Sequence, residues 1–230
     1  MKRGWRNIGE LRERWGDSLL TVLTVLIVVM MFVVAPLQAL GLFEFQIFEL
    51  LLALFLVAGV FLMSGSAFAM VAMLVALTMI VVGAVLRLHS PSILDLNLFA
   101  GSWLIVGITM AVTVARATFA PGRVTYHRVI GAVLLYLTVA VIFSALYTFV
   151  GTLVPKAFSG MKVEDSPALA SQLIYFSFAT MTTTGYGDVA PLHPIARSLC
   201  NVEAIFGQLY PATLLARLVT LELAHRDQDS

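Results

Sequence analysis

Long stretches of this chain carry no charge, and their lengths dictate what it can become. Ser18 to Phe43 is 26 residues without Asp, Glu, Lys or Arg, and Leu50 to Leu86 is 37. A helix rising about 1.5 Å per residue needs about 20 residues to cross roughly 30 Å of hydrocarbon. The first stretch is therefore one crossing. The second is nearly two, with a break expected at Ser64-Gly65-Ser66. Uncharged segments between Asp95 and Arg116 and between Arg128 and Lys156 give a fourth and a fifth crossing. A sixth is expected from near Pro194 to about Leu221. With 60% hydrophobic and 12% charged residues, the chain lacks the charged surface of a soluble domain. The lipid bilayer is its expected solvent.

Lys2, Arg3, Arg6, Arg12 and Arg14 precede the first apolar run, as in a signal peptide. A cut after Ala39 would place Leu37, too large, at the third position before it, so the run is read as a retained helix. Trp5, Ile8, Leu11 and Trp15 recur at near-helical spacing among the arginines. Residues 1–17 are expected to form a cytoplasmic amphipathic segment on the membrane surface, with a solvated tail as the alternative. With six crossings and the N-terminus inside, ten Lys and Arg fall on inner segments and four (Arg87, Lys156, Lys162 and Arg197) on outer ones. That excess predicts a multi-pass protein with both termini cytoplasmic, in a plasma (inner) membrane.

The net charge of +1 gives no footing for a nucleic-acid partner, and the single cysteine, Cys200, excludes an intrachain disulfide. Its expected role is small apolar packing. No metal-ligand, nucleophile or phosphate-loop motif appears, so neither an enzyme nor a cofactor is expected.

Ser166 to Gly187 is also uncharged over 22 residues, but its second half is unlike a helix. Gly185 and Gly187 alternate with other residues after a threonine run. The pattern predicts a half-length helix, about Pro167 to Thr182, with Pro167 in its first turn, then an extended strand. Non-helical backbone at membrane depth survives only where protein buries it or it lines a watery path. The stretch is therefore read as a re-entrant loop entering from outside.

Such a loop can solve one physical problem, the passage of a bare cation through oil. Water must be replaced by fixed oxygens, and backbone carbonyls serve if successive ones face one axis. Glycine at alternate positions permits the left-handed dihedrals this needs, and a threonine hydroxyl adds an oxygen at the inner end. Thr183, Thr184, Gly185, Tyr186 and Gly187 have that layout.

The stretch "FATMTTTGYGDVAP" resembles the signature filter of potassium channels, whose commonest form is TVGYG. Thr184 stands where valine is commonest. The resemblance covers roughly Thr125 to Leu221, a helix, a re-entrant loop and a helix. It implies that Thr183, Thr184, Gly185 and Tyr186 coordinate K+, with Gly187 completing the filter. It also implies that Asp188 lies at the outer mouth, accepting a hydrogen bond from an aromatic on the pore helix. Tyr175 or Phe176 occupies that place, and of these only Tyr175 can donate. Thr182 is the other filter support. Ala179 stands where proton-activated bacterial members carry a glutamate. One loop per chain implies a homotetramer.

Gly207, nineteen residues after Asp188, matches a hinge glycine of the inner helix, with packing against the pore helix as the competing role. Gln208 matches a cavity-lining position, and Pro211 can kink the helix. Glu203 is the acid inside this span. Five residues separate it from Gln208, a turn of about 140°, so it should face the pore helix or the fifth span. It is read as either a structural hydrogen-bonding group or a pH sensor.

The expected fold class is thus all-α integral membrane: six transmembrane helices, with a re-entrant pore helix and extended filter between the fifth and sixth. Residues 18–120 would be a four-helix peripheral domain. Its fourth helix has one arginine, Arg116, and so no voltage-sensor array. Residues 124–221 would be the pore domain and 222–230 a short cytoplasmic tail with no gating domain. The function implied is passive, selective K+ conduction. Alternatives are a weakly selective or non-selective cation channel, a potassium transporter, or a regulatory membrane subunit.

Overall fold

The computed structural model describes residues 20–41, 66–89, 92–119 and 126–229. The segment 1–17, the crossing expected from Leu50 onward and the Ser64-Gly65 part of the break lie outside these residues. Ser66 is non-helical and directly precedes a helix. Among the described residues the chain forms α1 (Leu20–Ala39), α2 (Ala67–His89), α3 (Ile93–Thr118), α4 (Tyr126–Leu153), α5 (Leu169–Met181) and α6 (Pro194–Asp229). Two short strands, β1 (Phe158–Ser159) and β2 (Ala190–Pro191), flank α5 and the loop after it.

α1 to α4 each hold a segment long and apolar enough to cross a membrane: Leu20–Ala39, Ala67–Arg87, Ile93–Thr118 and Val129–Leu153. Their outward side chains are apolar too, with Val25, Phe32, Val71, Leu74 and Ile108 exposed. Water would penalise such a surface, and hydrocarbon does not. Several hydroxyl residues within these helices bond to their own backbone, which satisfies them where lipid offers no partner. Thr138 Oγ1 donates to the Leu134 carbonyl at 2.7 Å and Thr109 Oγ1 to Ile105 at 2.7 Å.

Two local features follow from single residues. Pro36 has no N–H, and its ring crowds the carbonyl four residues back. Just ahead of it, Met30–Val34 widens into a π-turn, with the Ala35 N–H reaching the Met30 carbonyl. The extra residue in the turn relieves the clash. α3 opens with a capping box. The Ser92 N–H and hydroxyl both donate to Asp95 Oδ1, at 2.6 and 2.8 Å. The buried Asp95 carboxylate thereby sits at the positive end of the helix.

α3 packs across α2 and α4, α4 across α5, and α5 against α6 and the last turn of α1. Leu23, Met73, Met110, Leu134, Tyr147 and Met181 are fully buried between them. An ion pair, Arg87 to Asp165 at 2.7 Å, joins the end of α2 to the segment before α5. β1 and β2 pair antiparallel, Phe158 opposite Pro191 and Ser159 opposite Ala190, tying the chain after α4 to the chain beyond the loop.

Two expected boundaries move. α5 starts at Leu169, two residues later than Pro167. Pro167 lies instead in a turn closed by the Leu169 N–H on the Ser166 carbonyl at 3.1 Å. α6 continues past Leu221 to Asp229, so residues 222–229, expected as a short tail, are helical. Glu222, Leu223, Ala224 and Arg226 favour helix, and no Gly or Pro interrupts them.

Candidate ion-conduction site

The threonine–glycine loop grows directly out of the C-terminal end of α5. Thr182 caps the helix, its N–H on the Phe178 carbonyl at 2.9 Å. The Thr183 N–H reaches Thr180 at 3.0 Å and the Gly185 N–H reaches Ala179 at 3.1 Å. Thr183, the first residue past the cap, has φ of 57°. Many helices end on such a left-handed residue, but it is usually glycine. A β-branched residue there is an outlier, and the conformation costs roughly 1–2 kcal/mol.

Gly185 and Gly187 follow with φ of 56° and 84°. Left-handed residues therefore fall at every second position, 183, 185 and 187. Alternation of this kind turns successive carbonyls toward one side, where an ordinary strand would alternate them. Thr182 to Asp188 are all exposed. A Cβ added at Gly185 or Gly187 would meet nothing within 4 Å, so at both positions the glycine answers to conformation and not to space.

Side chains brace the loop at both ends. At its Asp188 end the Tyr175 hydroxyl donates to Asp188 Oδ2 at 2.9 Å, and Asp188 Oδ1 accepts the Val189 N–H at 3.0 Å. The Tyr175 ring stacks on Tyr186, centroids 5.9 Å apart and 10° from parallel. Of the two aromatics left open by the sequence, the structure brings Tyr175 to Asp188. Phe176 is buried against Tyr147 and Phe158. At the loop's α5 end Thr182 Oγ1 donates to the Phe178 carbonyl at 2.6 Å and lies 2.8 Å from Thr184 Oγ1. Gln208 Nε2, from α6, donates to Thr183 Oγ1 at 3.1 Å.

α6 approaches α5 closely at Gly207, where a Cβ would fall 1.9 Å from the Met181 carbonyl oxygen. Pro211, inside the helix and exposed, leaves the Gly207 carbonyl without the N–H four residues on. Glu203 is fully buried and faces both α5 and α4. Ser177 Oγ lies 2.5 Å from its Oε1 and the Tyr147 hydroxyl 2.5 Å from its Oε2. Sequence reasoning named Glu203 but neither partner, since nothing local links positions 26 and 56 residues apart.

The loop thus offers a run of neutral backbone and hydroxyl oxygens on a braced scaffold, which suits transient holding of a monovalent cation rather than bond-making chemistry. Comparison with curated proteins and with solved structures finds no match. Residues 131–222, spanning most of α4, the α5 loop and most of α6, match the family model described as "Ion channel". The likeness to ion channels, which are passive pores and not enzymes, is thus that of residues 131–222, within a chain that has four helices long and apolar enough to cross a membrane among its described residues.

Proposed function

We propose that the chain is one subunit of a homotetrameric, potassium-selective channel of the plasma membrane, with Thr183–Gly187 as its filter. The observation that carries this reading is the alternation of left-handed backbone at 183, 185 and 187 within the sequence TTGYG. Carbonyls of Thr183, Thr184, Gly185 and Tyr186, with the Thr183 hydroxyl, would replace the water around K+. α5 would be the pore helix. At 13 residues it is about 20 Å long, too short to cross, and the negative end of its dipole favours a cation near Met181 and Thr182.

One loop supplies one wall, so several copies must meet on an axis. The open flank of the loop and the exposed apolar residues Val202, Ile205 and Leu209 of α6 are surface such an assembly would cover. Six crossings are read as α1 to α4, α6 and one more in the uncharged stretch from Leu50. Residues 18–120 then form the peripheral domain and 124–221 the pore domain, with both termini cytoplasmic.

The test is reconstitution of the purified protein in a planar bilayer, with reversal potentials under opposed K+ and Na+ gradients. The reading expects K+ and Rb+ to pass and Na+ to be rejected. Equal K+ and Na+ permeability would sink selectivity and leave a weakly selective cation channel.

A further inference from the structure

Where α4, α5 and α6 meet, behind the loop and not in it, lies a buried polar cluster of Tyr147, Ser177, Cys200 and Glu203. Its hydrogens can be counted. Besides their bonds to the Glu203 carboxyl, Ser177 Oγ lies 3.0 Å from the Ala140 carbonyl and the Tyr147 hydroxyl 3.4 Å from Cys200 Sγ. Each hydroxyl carries a single hydrogen. An ionised carboxylate only accepts, so both hydroxyls would have to donate to it, and Ser177 would have nothing for Ala140, whose carbonyl would keep only the Ser144 hydroxyl of its own helix, at 2.8 Å, as a side-chain donor. A neutral carboxyl closes the circuit. Glu203 donates to Ser177, Ser177 to the Ala140 carbonyl, Tyr147 to Glu203 Oε2, and the Cys200 thiol to Tyr147.

Among the described residues no counter-charge argues otherwise. The titratable groups within electrostatic reach of Glu203 are Tyr147 and Tyr136 on α4 and Cys200 on α6. α5 presents no charged group there, only the hydroxyls of Ser177, on Glu203, and of Thr180, on Cys200. Among the described residues the one ion pair is Arg87 with Asp165, elsewhere in the fold. A buried carboxylate without a cation is disfavoured against its neutral form.

We propose that Glu203 is a neutral hydrogen-bonding latch, a positioning residue whose protonated carboxyl joins α6 to α5 and α4 and so fixes the Thr183–Gly187 loop. Its effect on conduction rests on the channel reading above. Ser177 lies four residues before Met181, and Glu203 four before Gly207. The latch and the Gly207–Met181 contact are therefore one turn apart on the same two helices, and together they fix the rotation of α6 against the end of α5. From that end the chain passes straight into Thr183. Ionisation at alkaline pH removes the hydrogen that Glu203 gives to Ser177 and draws the Ser177 hydrogen away from Ala140, which loosens the seat of the loop.

Glu203→Gln reproduces the neutral pattern, since its amide donates to Ser177 while its carbonyl accepts from Tyr147, and it cannot titrate. Glu203→Leu leaves both hydroxyls without the carboxyl. The experiment uses the full chain in lipid vesicles, with infrared spectra and Rb+ uptake against Na+ read for all three proteins. Wild type should show the carbonyl band of a protonated carboxylic acid at neutral pH, and E203Q should lack it. Wild-type uptake should decline at alkaline pH, and E203Q should keep selective Rb+ uptake without that decline. E203L should lose uptake roughly ten- to a hundredfold, the scale of a buried donor left unsatisfied. If folded E203Q loses no such band, the carboxyl is ionised and the proposal fails. It fails equally if E203Q is as impaired as E203L, if E203L is unimpaired, or if wild type and E203Q share one pH profile. A wild type that carries no cation at all defeats the channel reading, while the infrared comparison still decides the protonation state of the latch.

Discussion

A Cβ on Gly207 would stand 1.9 Å from the carbonyl oxygen of Met181, so α6 and α5 meet backbone to backbone where α5 ends. That contact makes the inner part of the loop a product of two helices. Thr183 is two residues beyond Met181, and Gln208, next to Gly207, reaches its hydroxyl at 3.1 Å. Any shift of α6 along α5 is passed to the first residue of the candidate filter. The close approach accounts for glycine at 207 without requiring a hinge.

Gly207→Ala separates the two roles by sign. A glycine kept only as a hinge in a helix gives way to alanine with a gain of up to about 1 kcal/mol in helix stability. A glycine kept for contact does not, because the obstacle is backbone and cannot rotate away. Overpacking of that kind costs roughly 1–3 kcal/mol. The contact predicts that G207A lowers the thermal stability of the detergent-solubilised protein and weakens Rb+ uptake. Raised stability would favour the hinge.

Gly185→Ala isolates conformation, since nothing lies within 4 Å of the added carbon. Holding a non-glycine residue at φ of 56° costs roughly 1–2 kcal/mol, small against the stability of the whole protein but applied at the coordinating backbone. The variant should fold with a near-normal melting temperature and lose K+ over Na+ selectivity in reversal-potential measurements. Retained selectivity would remove the left-handed backbone from the mechanism.

Four of the expected crossings and the backbone of the loop were legible because each has a signature tied to one physical demand. Uncharged runs give length, and Gly185 and Gly187 give backbone freedom. The Ser92-x-x-Asp95 cap is also written locally, yet a reading centred on spans passes over it. Other features have no local signature. β1 and β2 are too short to show an alternating pattern. Tyr147 and Ser177 look like ordinary residues of apolar helices, and only tertiary packing brings them to Glu203. The left-handed Thr183 runs against the preference of its own residue type, so the site shows here as a departure from local rules. α6 outlasts its expected end because charge was taken as the end of the helix, when charge marks only the end of an apolar span.

Tyr175→Phe tests the outer brace. The ring can still stack on Tyr186, so only the hydroxyl bond to Asp188 at 2.9 Å is lost. Folding should be little affected, since Tyr175 is partly exposed. The outer end of the loop should become less persistent, seen as shorter openings in single-channel records. Asp188→Asn, which keeps the shape and weakens the acceptor, should shift openings the same way. Unchanged open times in both variants would assign Tyr175 and Asp188 no part in holding the loop.

Voltage dependence should be shallow. α3 carries one arginine, Arg116, at its end, and moving one elementary charge through the full field is worth only about 2.3 kcal/mol per 100 mV. Few such charges cannot produce a steep opening curve. Open probability measured across a wide range of potentials, without divalent or polyamine blockers, should change gradually. A steep curve in that condition would require gating charge outside α3.

The inner end of the loop gives the last prediction. Thr183 serves in two capacities that substitution can divide: its hydroxyl accepts from Gln208, and its β-branch occupies a left-handed conformation. Thr183→Ser keeps the hydroxyl and removes the branching methyl, so it relieves part of a strain of roughly 1–2 kcal/mol. Thr183→Val keeps the shape and strain and removes the oxygen. Gln208→Ala removes the donor, a neutral bond worth about 0.5–1.5 kcal/mol net, and less where exposed. If the hydroxyl supplies the innermost oxygen for the cation, T183S should conduct nearly as wild type does. T183V should then show reduced single-channel conductance, and Q208A should fall between them with selectivity largely kept. A T183V conductance equal to wild type would mean that carbonyls alone hold the ion, and that the contact from Gln208 serves only to seat α6.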